Sequence, residues 1–179
     1  MKRKLRRPVA VVLFVVIVAV LLIVDRSTKI LAVGYLGGGV AKPFIPQILD
    51  FYLTFNQGAA FGVLEGGGMI FLTIALLISL GIFIYMIVSK SHKTLEVIAL
   101  SMIVAGALGN AFDRIQIGMV IDFVRTLFID FPIFNVADSC ITIGIILLFI
   151  YIILDSRNSA KKNLELPDTG FDEEKKNDA

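Results

Sequence analysis

Four apolar runs constrain this chain more than anything else in it: Pro8 to Val24, Met69 to Val88, Leu95 to about Leu108, and Ile133 to Leu154. A helix rises about 1.5 Å per residue, so about 20 apolar residues cross the ~30 Å hydrocarbon core of a bilayer. Backbone amides there have no water to bond, and a helix satisfies them within its own segment. The third run reaches spanning length only when Gly109 to Phe112 is counted with it. With 57% hydrophobic residues and a mean hydropathy of +0.87, a chain of 179 residues is too apolar for a soluble domain and too short for two large ones. The sequence therefore predicts an integral membrane protein of one domain, residues 1–154, with spans at about 8–24, 69–88, 95–112 and 133–154.

Basic residues orient the spans. Five lysines and arginines precede the first, and Lys90, His92 and Lys93 separate the second from the third, so both termini are expected in the cytoplasm. The loops at about 30–68 and 113–132 then face outward, and they carry most of the interesting polar groups. Met1 to Arg7 followed by an apolar run also resembles a secretory signal peptide, but the run is long and lacks a small-x-small cleavage site before Asp25, which favours a retained helix. Residues 155–179 are charged, mixed in sign and poor in aromatics, and read as a disordered cytoplasmic tail.

The same features exclude several function classes. The net charge of +2 sits in topology-determining flanks, so it gives no reason to expect nucleic acid. Cys140 is the only cysteine, which leaves no disulfide framework and no cysteine pair for zinc. His92 is the only histidine and belongs to the opposite loop, so no Cys-His or Ser-His pair can be assembled. Gly66 to Gly68 is followed by no Lys-Ser/Thr and reads as a joint rather than a phosphate loop. No metal or cofactor is expected.

The first outer loop holds a strand signal in Phe51 to Phe55, after the extended or turn-forming Pro43-Phe44-Ile45-Pro46. Asn56 to Gly62 follows, combining side-chain amides with small residues that allow close backbone approach. Polar residues then gather at the outer ends of the spans: Asp25, Arg26 and Lys29; Asn110, Asp113 and Arg114; Asp122; Asn135 and Asp138. Asn110, Asp113 and Arg114 stand at i, i+3 and i+4 and share a helix face. Ion pairing of Asp113 with Arg114 or Lys29, and an N-cap role for Asn135 after Pro132, explain several of them without any catalysis.

Asp122 and Asp138 resist that explanation, because Asp138 opens an apolar helix with no basic neighbour in sequence and Asp122 lies between Ile121 and Phe123. Ionised carboxylates beside hydrocarbon are costly and need partners in space. Two carboxylates brought together share a proton, and such a pair hydrolyses a peptide without metal or covalent nucleophile. On physical grounds the pair serves either hydrolysis or ion binding and transport.

Five motifs in order resemble those of signal peptidase II, the lipoprotein signal peptidase of bacteria. They are Asp25-Arg26-Ser27-Thr28-Lys29 (D-x-x-[ST]-K), Asn56 to Phe61 (N-x-G-A-A-F), Gly109 to Arg114 (G-N-x-x-D-R), Val120 to Phe123 (V-x-D-F) and Phe134 to Asp138 (F-N-x-A-D). The resemblance implies a fold of four transmembrane helices with a small extracytoplasmic β-cradle and a short interfacial helix. It implies an aspartic endopeptidase that cuts diacylglyceryl-modified prolipoproteins just before the lipidated cysteine, as a monomer among the lipids of the bacterial cytoplasmic membrane, with its site toward the outer face. Asp122 and Asp138 take the catalytic positions. Asp25, Lys29, Asn56, Asn110, Asp113, Arg114 and Asn135 take positions that hold the substrate backbone or brace the site.

Overall fold

A computed structural model describes residues 4–58 and 67–164, with the backbone alone for 159–164. Ala59, Ala60 and Phe61 of the N-x-G-A-A-F segment and residues 165–179 of the expected tail lie outside the described residues. The elements run β1 (Lys4–Arg6), α1 (Arg7–Leu36), β2 (Lys42–Ile45), β3 (Leu49–Asn56), α2 (Gly68–Val88), β4 (Ser91–Lys93), α3 (Thr94–Ile117), β5 (Val120–Thr126) and α4 (Val136–Leu164). All four helices are long and apolar enough to cross a membrane. Among the described residues they are the only helices, so the expected interfacial helix is not found there.

α1 and α3 run past the hydropathy reading because charged residues do not stop a helix that can pair them internally, and α4 differs at both ends. α1 continues past Val24 to Leu36 because Asp25 and Lys29, one turn apart, bond at 3.0 Å inside the bundle. α3 continues past Phe112 to Ile117, where Gly118 at φ +74° closes it, its N–H donating to the Arg114 carbonyl at 3.0 Å. α4 starts at Val136 rather than residue 133, and residues 155–164, assigned to the tail by composition, are instead its last turns.

α3 is the central helix: 61% of its spanning window is buried, against 11–22% in the others. α4 lies close against it because each of the two helices offers a glycine at the contact. A Cβ on Gly106 would fall 2.3 Å from the Ala137 carbonyl oxygen, and one on Gly144 would fall 2.9 Å from that of Ala99. Small residues of this kind let helix backbones approach where no hydrophobic force between helices operates. The outward faces are apolar, as at Val12, Ile23, Leu77 and Phe149, which matches a lipid surround.

At one end, β2, β3 and β5 form an antiparallel sheet in the order β2-β3-β5. Leu49 pairs with Thr126 and Asn56 with Val120, with a shift between Phe51 and Thr54. Asp50 and Arg125, directly opposite in register, form a two-point ion pair at 2.9 and 2.5 Å that fixes it. Phe123, Phe51, Leu53 and Val124 pack this sheet onto Ala32 and Leu36 of α1. At the other end β1 pairs with β4, above a core of Ala10, Phe14, Met86, Val97, Leu100 and Val104.

Candidate active site

The sheet and the bundle meet where the polar motifs meet. β5 carries Asp122 and the first turn of α4 carries Asp138, and both line one cavity of about 470 Å³. Its walls also include Asn56, Asn110 and Arg114, and an apolar side made by Phe131 to Phe134 and Ile143. Asn56 lies diagonally across the β3–β5 ladder from Asp122 and donates its amide to Oδ2 at 3.1 Å. Asp122 is 1% exposed, and burial, followed by the charge of Asp138, pushes its carboxyl up to about 7 against the opposing bonds from Asn56 and Asn135 and the charge of Lys29.

Two further asparagines hold the carboxylates, and their orientations are chemically determined. Lys29 has only donors, so the Asn110 atom 3.0 Å from its Nζ is Oδ1, and Nδ2 is left to donate to Asp138 Oδ1 at 2.7 Å. Asn135 Oδ1 accepts the Asp138 backbone N–H at 2.9 Å, so its Nδ2 donates to Asp122 Oδ1 at 2.7 Å. Asp138 Oδ2 in turn accepts the Asn135 N–H at 3.1 Å. This reciprocal pair is a capping box, so the cap expected of Asn135 is present, and the same side chain also joins the two aspartates.

Behind the asparagines lies a fully buried ionic cluster. Lys29, 0% exposed, touches Asp113 Oδ2 at 2.7 Å and Asp25 Oδ2 at 3.0 Å. Each of these carboxylates also accepts the backbone N–H of the residue just before one of the cavity aspartates: Asp113 from Ile121 at 3.3 Å, and Asp25 from Ala137 at 2.9 Å. One lysine thereby fixes the approach of β5 and of α4 together. Gly109 permits this, since a Cβ there would stand 2.6 Å from Asp25 Oδ2.

The structure brings together all nine site residues that the resemblance implies, and of the two partners expected for Asp113 it takes Lys29. Asp113 pairs with Lys29 and with Arg26, at 3.3 Å, rather than with Arg114. Arg114 instead reaches the Gly58 carbonyl at 3.2 Å, bonds the Asn110 carbonyl at 3.4 Å, and stacks over Phe71. The sequence reading did not single out Ser139, Thr142 or the Phe131 to Phe134 wall, although Ser139 and Thr142 follow Asp138 at i+1 and i+4. Among the described residues no group of three or more His, Cys, Asp or Glu side chains is arranged to hold a metal. A second cavity, about 530 Å³, opens between α1, α2 and α3, but its lining is mostly apolar and includes only one of the nine, Asp25.

Known proteins share this arrangement of chain and fold. The family model described as signal peptidase (SPase) II matches residues 17–154. A lipoprotein signal peptidase of Enterococcus faecalis is 40% identical over 147 residues, covering 82% of this chain and 91% of that one. One of Halalkalibacterium halodurans is 39% identical over 152 residues, covering 84% and 97%. A solved structure of a bacterial membrane enzyme superposes with a TM-score of 0.75 at 35% identity, covering 81% of this chain and 90% of its own.

Proposed function

The chain belongs to the signal peptidase II family, and on that footing we propose that it is an aspartic endopeptidase that cuts prolipoproteins on the amino side of a diacylglyceryl-modified cysteine. Its multi-pass architecture and its likeness to lipoprotein signal peptidases carry the substrate class. The observation that carries the mechanism is the pair of carboxylates facing one cavity, each held by an oriented asparagine amide, with Asp122 pushed up to about 7.

Near neutral pH such a pair shares one proton. The ionised carboxylate takes a proton from a water molecule, whose oxygen adds to the scissile carbonyl carbon, while the protonated carboxyl gives its proton to the carbonyl oxygen. When the tetrahedral intermediate collapses, the C–N bond breaks, the amine leaves with a proton from the dyad, and a carboxylic acid remains. The pair titrates as a unit, so the two roles belong to the dyad. Arg114 and Asn56, on the cavity wall, hold the substrate backbone or brace the site. No metal and no cofactor takes part.

The two loops of the dyad end face outward, and both termini lie in the cytoplasm, consistent with the basic residues before α1 and between α2 and α3. In a bacterial cytoplasmic membrane this brings the dyad to the leaflet where a lipidated substrate is anchored. The test is cleavage of a synthetic diacylglyceryl-cysteine peptide by the purified monomer. Cleavage just before the modified cysteine, unaffected by a chelator and lost for the unlipidated peptide, is expected; loss of activity on chelation would contradict the metal-free dyad.

A further inference from the structure

A second buried polar cluster lies at the other end of α3, about 21 Å from Asn110 for fourteen residues of helix, and the dyad chemistry does not use it. His92 of β4 is 1% exposed and Glu96, in the first turn of α3, is 3% exposed. His92 Nε2 lies 3.2 Å from the Met86 carbonyl, which only accepts, so Nε2 bears a hydrogen. Nδ1 faces Glu96 Oε1 at 3.5 Å and has no hydrogen-bond partner. A bare Nδ1 would set a lone pair against a carboxylate oxygen; a hydrogen there turns the same contact into a charge-assisted one.

The other groups around Glu96 leave that hydrogen to the imidazole. The Tyr85 hydroxyl of α2 donates to Oε1, and the Lys93 backbone N–H donates to Oε2 at 2.9 Å. Donors converging on both oxygens from two elements suit a carboxylate that only accepts. The Lys93 ammonium is engaged by Asp155 of α4 and the Tyr151 ring, Arg7 of α1 donates to the Ile87 carbonyl, and Lys4 of β1 is registered opposite Lys93. Among the described residues His92 is thus the cation placed to balance Glu96.

We propose that His92 holds hydrogens on both ring nitrogens and that this imidazolium, closed on the Glu96 carboxylate, is a latch tying strand β1 and the α2–α3 turn to the bundle. Leu5 of β1 pairs with His92 itself, whereas the neighbouring Lys4–Lys93 pair sets like charges opposite each other, so the short strand depends on the histidine position.

Because His92 is the only histidine, ring-nitrogen NMR of the full chain in lipid nanodiscs reads one site. Two protonated ring nitrogens at pH 7, with one losing its hydrogen in Glu96→Gln, is the expected result. A bare ring nitrogen in the parent protein overturns the proposal, as does a doubly protonated ring that ignores Glu96→Gln. The mechanical half is read by trypsin: cleavage after Lys4 and Arg6 should be roughly tenfold faster in His92→Gln, and equal rates would show that β1 is held by something else.

Discussion

Replacing Asp122 by asparagine should destroy activity and make the variant's stability, relative to the parent, rise between pH 5 and pH 8. A carboxyl raised from 3.8 to about 7 binds protons more tightly in the folded state than in the unfolded one. Its contribution is therefore neutral below both values, becomes progressively unfavourable as pH rises between them, and is constant above the higher one. Three pK units correspond to about 4 kcal/mol, of which roughly 2–3 kcal/mol develops between pH 5 and pH 8. Asparagine removes that penalty but adds another, since Asp122 accepts from both Asn56 and Asn135 and an amide offers only one oxygen. The misplaced donor costs about 1–3 kcal/mol, and this cost does not change with pH. The informative quantity is thus the difference between the two pH values, in which the donor penalty cancels. Denaturant unfolding of parent and variant in one detergent at pH 5 and pH 8 measures it. A variant whose relative stability is the same at both values would refute the burial argument for Asp122.

Three other substitutions test the supports. Lys29→Met leaves two buried carboxylates without their cation and should cost about 3–5 kcal/mol, read as a lowered unfolding midpoint, with cleavage lost as β5 and α4 lose their common anchor. Asn135→Ala removes the α4 cap and a donor to Asp122; the cap alone is worth about 0.5–2 kcal/mol, and turnover should fall far more than stability. Gly106→Val should drive α4 from α3 and lower the midpoint by about 1–3 kcal/mol or more, whereas a midpoint equal to the parent's would mean that the helices are not in close contact there.

Much of this was legible in the sequence because apolar length and polar spacing are local properties. Four spans followed from hydropathy, and Phe51 to Phe55 proved to be part of β3. The helix ends were misread at Asp25 and Asp113, since hydropathy counts a charge as a boundary and cannot see that Lys29 neutralises both carboxylates from within. The pairing of residues 4–6 with 91–93 had no local signal, because its register is made by residues far apart in the chain. The gathering of polar groups and an Asp113–Lys29 pair were among the expectations, but the choice of Lys29 over Arg114, the added Arg26 contact and the Gly58 carbonyl as partner of Arg114 were not. Those depend on the rotation of α3 against α1, which side-chain spacing along one helix does not encode.

The most direct test of the account is cleavage of a lipidated prolipoprotein by purified Asp122→Asn and Asp138→Asn proteins that insert and accumulate like the parent. Neither variant should release signal peptide. Substantial cleavage by either one would contradict a water-activating pair formed by these two aspartates.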